Sequence, residues 1–449
     1  MDNNTRPFNH RTVSVTTLGC KVNQVESESL CAELQSFGWD ISNETKPAGV
    51  CIINTCTVTQ KASMQSRQAI RRAIRENPGS VIVATGCYAQ SEPLELQKIE
   101  GLDFIIANSD KHRIAQVVTE AGNFDATSLN PVVLHHDIRL ERCLHPAGAS
   151  TVSPRTRPFI KIQDGCDHFC AYCIVPYTRG SSRSLPPDAV MAEIFNLPPD
   201  KTHEIVLTGI HMGRYGMDFS PPVSLVDLLK RIHETCRIGR IRLSSIEPVE
   251  FTDDLLHFAA TSQRVCHHFH IPLQSGDADI LKKMNRSYDP ELFIKLIQKI
   301  HTAIPDVAIG VDVMVGFPGE TDTAFNNTYQ LLERLPVAYL HAFPFSPRPG
   351  TPASQFPGQI DNDVIKARRN RLLTLGIKKK SAFYHQTIGK TLVVMVENKR
   401  DNATGLLTGV SGNYVRVLLD GDDHLKNRLL PCRIIEPLGN KTVLGKAVC

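Results

Sequence analysis

The chain has 449 residues, 41% hydrophobic, 21% charged and 6% aromatic, with a formal net charge of +4. These fractions exclude wholesale disorder, and the length predicts about three domains at roughly 150 residues each. No apolar run approaches the ~18 residues of a membrane span, and the first residues, MDNNTRPFNHR, lack the apolar core of a signal peptide. A soluble cytoplasmic protein with no membrane partner is expected. Its thirteen cysteines, odd in number and with no export signal before them, argue against a disulfide framework. Metal ligation, catalysis or plain burial remain.

The first segment alternates strand and helix patterns. Strands are predicted at Val13–Leu18, Val50–Asn54, Val81–Thr85 and Phe104–Ala107. Between them run helical patterns, one carrying Val25, Leu30, Leu34 and Phe37, another carrying Ala69, Ile70, Ala73 and Ile74 among four arginines. Such alternation predicts an α/β fold with a doubly wound parallel sheet over residues 11–145. Residues 146–158, rich in Pro, Ser and Thr, read as a linker.

The second segment repeats the alternation on a larger scale. Strands are expected to begin at Phe159, Ile205, Ile241, Phe269, Ala308 and Val337, with helices over Leu225–His233, Pro290–His301 and Thr323–Leu335. Six β/α units in residues 159–376 suit a partial or full β/α barrel, and a doubly wound sheet is the alternative. A charged helix, Asn362–Tyr384, follows. The remainder, 377–449, holds four or five short alternating strands and predicts a small antiparallel barrel of the oligonucleotide-binding (OB-like) kind.

Cys166, Cys170 and Cys173 form a C-x3-C-x2-C spacing directly after the strand at Phe159. Barrel active sites are built at that strand end. Three close thiolates suit an iron–sulfur cluster with one iron left open; a structural zinc with His168 as fourth ligand is the alternative. Cys20, Cys56 and Cys87 each stand just past a predicted parallel strand. Open α/β sheets place ligand sites at that edge, so three distant cysteines can converge, although cysteines are also buried as small hydrophobes. That plainer reading is applied to Cys31, Cys51, Cys143, Cys236, Cys266, Cys432 and Cys449.

At these residues the chain resembles a known family. The string DGCDHFCAYCIVPYTRGSSRS is similar to the radical S-adenosylmethionine (SAM) methylthiotransferases. So are TLGCKVNQ, INTCTVT, ATGCYAQ, IPLQSG and VGFPGET, which occur in the family's order from Val13 to about Pro437. The resemblance implies an amino-terminal methylthiotransferase domain, a radical-SAM partial (β/α)6 barrel and a carboxyl-terminal TRAM barrel. It implies two 4Fe–4S clusters, a SAM-binding one on Cys166, Cys170 and Cys173 and an auxiliary one on Cys20, Cys56 and Cys87. SAM would be both methyl donor and radical source.

Among the family's branches, Lys21-Val22 resembles the one that adds a methylthio group to C2 of N6-threonylcarbamoyladenosine beside the tRNA anticodon, at position 37. The isopentenyladenosine branch has Gln-Met there, and a Glu where this chain has Ser182. Implied partners are the tRNA anticodon stem-loop, an electron donor such as a flavodoxin or ferredoxin, and a sulfur source. No side-chain base removes a proton from an adenine ring carbon, which is why radical chemistry and cofactors are needed.

Polar residues at strand ends are candidate SAM contacts: Tyr172, Thr208, Glu247 and Gln274, with Gly209, Ser245 and Ser275 beside them. Each is as well explained as a loop cap or turn residue. For RNA, Asn362–Tyr384 offers seven cations against Asp363 alone, and the 61–76 helix offers five against one Glu. A charge run is usually a solvated helix face, but two beside an OB-like barrel favour phosphate contacts. Competing readings are methylthiolation of isopentenyladenosine, methylthiolation of an aspartate in a ribosomal protein, and a non-catalytic zinc and RNA-binding protein.

Overall fold

The computed structural model describes residues 11–42, 48–120, 130–144, 146 and 155–448. The chain divides into two compact units. The first takes Met1–Thr151, Gln163–Leu185 and Ser346–Ser354; the second takes Val152–Ile162, Pro186–Phe345 and Gln355–Cys449.

The first unit is built on strands Thr12–Thr17 (β1), Asp40–Ile41 (β2), Val50–Thr55 (β3), Val81–Gly86 (β4), Phe104–Ile106 (β5) and Val132–Leu134 (β6). They pair in parallel in the order β2-β1-β3-β4-β5-β6. Strands β3 and β4 are buried at every residue, as β-branched runs covered on both faces should be. Alternate residues feed opposite layers. Val50, Ile52, Val81 and Val83 meet Leu30 and Leu34 of helix Lys21–Ser36 (α1). Cys51, Ile53, Ile82 and Ala84 instead meet Ile70 of helix Gln60–Glu76 (α2) and Tyr88 of helix Cys87–Ser91 (α3). The expected doubly wound sheet is therefore present, and Cys51 is a core residue.

Two strands escaped the sequence reading. β2 is two residues long and β6 three, too short for any alternation to register. Yet β2 sets the topology. With β2 outside β1 and β3 on its other side, the chain reverses direction between β1 and β3, the point where an open α/β sheet opens a crevice for a ligand. The expected linker at 146–158 falls mostly outside the described residues.

The second unit begins with strand Phe159–Lys161 (β7). The chain returns to the first unit as a short antiparallel pair, Gln163–Asp164 (β8) with Arg183–Ser184 (β9), and then re-enters the second. There Glu204–Thr208 (β10), Arg240–Leu243 (β11), His268–His270 (β12), Ala308–Val315 (β13) and Tyr339–Pro344 (β14) complete a parallel set. The orders β7-β10-β11 and β12-β13-β14 are joined by bridges Ile241–Val265 and Ser245–His270. Six strands in chain order make an open β/α barrel, so the doubly wound alternative is set aside. The last strand starts two residues later than expected because Val337 N–H is turned back onto Leu335 O at 2.8 Å. Helix starts follow their capping residues. Ser224 and Asp227 form a reciprocal capping box on the helix Leu225–Thr235, and Thr321 accepts from Ala324 N–H at the head of Asp322–Arg334.

Helix Asn362–His385 runs unbroken into the carboxyl-terminal barrel. That barrel comprises Thr391–Arg400 (β15), Leu407–Ser411 (β16), Arg416–Leu419 (β17), Leu429–Leu438 (β18) and Thr442–Ala447 (β19). It closes in the order β15-β16-β17-β19-β18. The expectation of a purely antiparallel barrel is corrected at one pair, because β17 and β19 run parallel. Residues 420–441 carry the chain back across the barrel through β18 before β19 is laid down. An ion cluster ties this barrel to the parallel strands. Buried Glu204 faces Arg240 and Arg242, and their guanidinium groups also reach Val393 O at 2.7 Å, Val410 O at 3.0 Å and Ser411 O at 2.9 Å.

Candidate metal centre and cofactor site

All six cysteines singled out from sequence belong to the first unit. Cys56 and Cys87 follow β3 and β4 directly, and Cys20 follows β1 after the two residues Leu18 and Gly19. The crevice between β1 and β3 thus receives Cys20 and Cys56, with Cys87 on the adjoining strand. Two glycines permit the approach. Gly19 has φ +101°, and a Cβ there would fall 2.9 Å from Cys56 Sγ. Gly86 has φ +96°, and a Cβ there would fall 2.4 Å from Thr55 O. Only glycine holds that left-handed backbone without strain while leaving the space clear.

The thiols sense one another. Burial pushes the Cys56 thiol up to about 11, with Cys87 and Cys20 adding to the rise. Cys20 reaches solvent at one side, yet surrounding atoms raise its thiol too, opposed by the Arg179 guanidinium. Crowded thiols are costly to ionise unless a cation or a metal takes up the charge. Asn108 Nδ2 donates to Cys87 Sγ at 3.6 Å and to Thr178 O at 2.8 Å.

Behind the thiols lies a polar scaffold that the sequence reading did not assign. Asn23 Nδ2 donates to Leu18 O at 2.8 Å and Thr55 O at 3.0 Å, stapling the turn before Cys20 to the strand before Cys56. Asn54 Nδ2 donates to Asn23 O and to Ser27 Oγ, both at 3.0 Å. Arg179 is buried; its Nη1 contacts Glu26 Oε1 at 2.8 Å and Asp164 Oδ1 at 3.0 Å, and its Nη2 donates to Asn23 Oδ1 at 2.5 Å. Lys111 holds the other Glu26 oxygen at 2.6 Å. Two cations and two carboxylates alternate, so the cluster is balanced. Far along the chain, Arg348 donates to Thr57 Oγ1 and Glu92 Oε1, both at 2.5 Å, next to Cys56. Asn23, Asn54 and Arg179 sit inside the quoted motif strings, but their roles depend on contacts 31 to 156 residues apart.

The Cys166–Cys173 loop springs from the β8–β9 pair. Cys166 N–H donates to Gly180 O at 3.0 Å, Cys173 N–H to Cys170 O at 2.9 Å, and His168 N–H points at Cys166 Sγ at 3.5 Å. A Cβ at Gly165 would overlap Ser181 O at 2.0 Å, so the chain before Cys166 is closed tightly on the chain after Cys173. Phe169 takes φ +40° and stands exposed against Tyr177. Each cysteine set offers three soft thiolate donors, the chemistry that suits iron–sulfur clusters.

The candidate SAM contacts divide between the units. Tyr172, half-buried, is in the first. In the second, Thr208 ends β10 and is buried; Glu247, just after β11, is ion-paired with Arg286; and Gln274 follows β12 at φ +65°. Gln274 is held there by its N–H to Asp312 O and by its carbonyl accepting from Met314 N–H, both at 2.9 Å. All three stand at the carboxyl ends of parallel strands, joined there by a His211–Glu250 pair at 2.6 Å.

The basic helix is only partly available for phosphate. Arg368 is buried against Glu320 and Asp322, at 2.7 Å each. Lys379 donates to Glu333 O and Leu335 O at the end of the preceding helix. Arg371 lies over Phe325 and Tyr329. Arg368 and Lys379 are thus engaged within the fold, and Arg371, though exposed, rests on two rings. In α2, Arg67 donates to Tyr88 Oη at 2.7 Å and Arg72 pairs with Glu76.

An open six-strand β/α barrel whose first strand is followed in sequence by a three-cysteine loop is the arrangement of a radical-SAM core. A family model described as the Radical SAM superfamily matches residues 160–332, and one described as Uncharacterized protein family UPF0004 matches residues 12–107. The chain is 35% identical over 428 residues to "Threonylcarbamoyladenosine tRNA methylthiotransferase MtaB" of Bacillus subtilis (strain 168), covering 95% of this chain and 94% of that protein. It is 31% identical over 433 residues to "tRNA-2-methylthio-N(6)-dimethylallyladenosine synthase" of Pelotomaculum thermopropionicum, covering 94% of each. Among solved structures, the radical SAM methyltransferase TsrM of Kitasatospora setae, with cobalamin and a [4Fe-4S] cluster bound, shares the fold. Its TM-score is 0.57 at 13% identity, with 77% of each chain covered. This chain belongs to the radical-SAM methylthiotransferase family. Among the described residues, no helix is long and apolar enough to cross a membrane.

Proposed function

We propose that this protein adds a methylthio group to C2 of N6-threonylcarbamoyladenosine at position 37 of tRNA. The observation that carries the reading is the near-full-length similarity to threonylcarbamoyladenosine tRNA methylthiotransferases, together with two separate sets of three cysteines in the first unit. Cys166, Cys170 and Cys173 would hold the SAM-binding 4Fe–4S cluster, and Cys20, Cys56 and Cys87 the auxiliary one. Bound there, the clusters supply one-electron reduction of SAM and a docking point for the sulfur that is transferred.

The chain's own residues do the positioning. Gly19 and Gly86 allow close approach of the turns that carry Cys20, Cys56 and Cys87. The Arg179 guanidinium favours ionised Cys20, and Asn108 donates to Cys87 Sγ. Thr208, Glu247 and Gln274 at the barrel strand ends would orient SAM, and Tyr172 is a candidate SAM contact by its place between two cluster cysteines. The carboxyl-terminal barrel would hold the anticodon stem-loop. A flavodoxin or ferredoxin would deliver the electron, a separate sulfide source the sulfur, and the reaction would take place in the cytoplasm.

The test is mass spectrometry of tRNA nucleosides from a deletion strain and its complemented counterpart. Loss of 2-methylthio-N6-threonylcarbamoyladenosine with retention of the unthiolated nucleoside supports the reading. Unchanged levels, or loss of the dimethylallyl counterpart instead, overturn it. Anaerobic reconstitution that takes up zinc and no labile sulfide would rule out the cluster assignment.

A further inference from the structure

A cavity of about 360 Å³ opens in the second unit between β14, the helix Asn362–His385 and the carboxyl-terminal barrel. That volume is within the range of small-ligand pockets. Its floor is apolar, where Ala308, Ala338 and Gly376 leave space that larger side chains would fill. Tyr339, Tyr384 and Tyr414 supply ring walls, and Lys380, Arg416 and Lys441 line it with positive charge.

The charge is unbalanced. No aspartate or glutamate lines the cavity, and none of these three cations has a carboxylate partner among the described residues. Burial lowers the Lys380 ammonium from its usual range, and the charges of Arg416 and Lys441 lower it further. Elsewhere the same helix neutralises its buried cation, Arg368, with two carboxylates. A set of cations left to repel one another around an open cavity is arranged for an anion that is absent from the chain itself.

The aromatic walls narrow the ligand's chemistry. Tyr414 is 40% exposed, sits at φ +65° and stacks on His268 at 4.1 Å, with the Arg242 guanidinium 5.2 Å from its ring. A non-glycine residue in that backbone region is held by its surroundings, so the ring is presented in a fixed pose. Lys380 Nζ lies 5.2 Å from the Tyr384 ring. Planar rings beside an apolar floor and clustered cations match a nucleobase joined to a phosphate.

We infer that this cavity takes an unstacked nucleotide of the bound tRNA, distinct from the adenosine that is modified, with its base on the tyrosine walls and its phosphate on Lys380, Arg416 and Lys441. The inference rests on the tRNA reading above and adds a second point of contact to it. Ala308 opens β13, whereas Gln274 is bridged to Val313 five residues further on. At the rise of a strand the two positions stand roughly 16 Å apart. A nucleotide in the cavity therefore does not occupy the candidate SAM end of the barrel. It would fix the register of the RNA instead.

The test is tRNA binding by the cluster-loaded enzyme, followed by fluorescence anisotropy across a salt series. The variants are Lys380→Gln with Arg416→Gln, and separately Lys441→Glu, with unfolding midpoints compared to wild type to confirm folding. Each variant should bind tRNA about tenfold more weakly, and the double variant should lower the slope of log affinity against log salt by about 1. Tyr414→Leu should weaken binding severalfold with the salt slope unchanged. Wild-type affinity and slope in the correctly folded double variant overturn the inference, as does failure of wild type to bind tRNA. Adenosine monophosphate alone competing at micromolar concentration would show a free-nucleotide site and overturn the RNA occupant. Failure of the modification reading would appear separately, as tRNA bound normally but lacking the methylthio product.

Discussion

Arg179 Nη1 lies 2.8 Å from Glu26 Oε1. The guanidinium that follows Cys173 in sequence therefore grips the helix that follows Cys20. Through Asp164 and Asn23 the same side chain also holds the strand before Cys166 and the turn before Cys20. Burying four charges brings little net stability, because desolvation offsets most of their attraction; what such a cluster fixes is geometry. Removing one member is another matter. Arg179→Ala leaves Glu26 and Asp164 short of a partner, and should destabilise the fold by about 3–5 kcal/mol. Arg179→Lys keeps the charge but loses the two-pronged contact, and should fold with reduced iron content. Denaturant unfolding and iron analysis of the two variants check this; full iron loading in Arg179→Lys would show that the guanidinium fork is dispensable.

Gly86 and Gly79 separate strain from collision. Both adopt a left-handed backbone, φ +96° and +88°, but a Cβ at Gly79 meets nothing within 4 Å while one at Gly86 meets Thr55 O at 2.4 Å. Gly79→Ala should cost about 1 kcal/mol from backbone strain alone. Gly86→Ala should cost clearly more and, on the proposed assignment of Cys87 as a cluster ligand, lower the iron content. Thermal unfolding of the pair, with iron content, measures the difference.

The two cysteine sets should fail differently. Cys170→Ala should abolish SAM cleavage. Cys56→Ala should leave cleavage to methionine and 5′-deoxyadenosine while losing the methylthio product. Chromatographic quantification of 5′-deoxyadenosine and of the modified nucleoside distinguishes them, and full product formation by Cys56→Ala would contradict the auxiliary assignment.

Glu204 sets a pH window. Burial alone would raise its carboxyl, but Arg242, Arg240 and Arg157 hold it below the usual range. A carboxyl depressed in the folded state contributes stability that is present above its unfolded pKa of about 4.3 and lost as pH falls through the folded value. Glu204→Gln should therefore be less stable at pH 7 by about 3–5 kcal/mol, since it strands two buried guanidinium groups. The gap to wild type should narrow below pH 4. Urea midpoints of both proteins from pH 7 to 3 report it; a gap that widens on acidification would contradict the sign.

Much of the fold was legible because the strands are long enough to show their pattern. VCIINT and VIVATG are continuous apolar runs, and the barrel strands from Phe159 to Ala308 begin where alternation and turn residues place them. The two-residue β2 and three-residue β6 carry no period, so convergence of the cysteines at the sheet's carboxyl edge could be read from sequence but the β1/β3 switch point could not. The parallel β17–β19 pair was hidden likewise, since a strand's sequence does not encode which neighbour it will meet.

The sequence holds thirteen cysteines; spacing alone pointed to Cys166, Cys170 and Cys173, and the motif resemblance added Cys20, Cys56 and Cys87, because both are one-dimensional facts. Only the tertiary structure decided what surrounds them. Arg179 and Glu26 are 153 residues apart, and Arg348 and Thr57 are 291 apart. It also decided which cations in the helix Asn362–His385 are consumed by packing and which, like Lys380, face an open cavity. A charge is written in the sequence, but whether it is neutralised depends on what the fold brings within hydrogen-bonding distance.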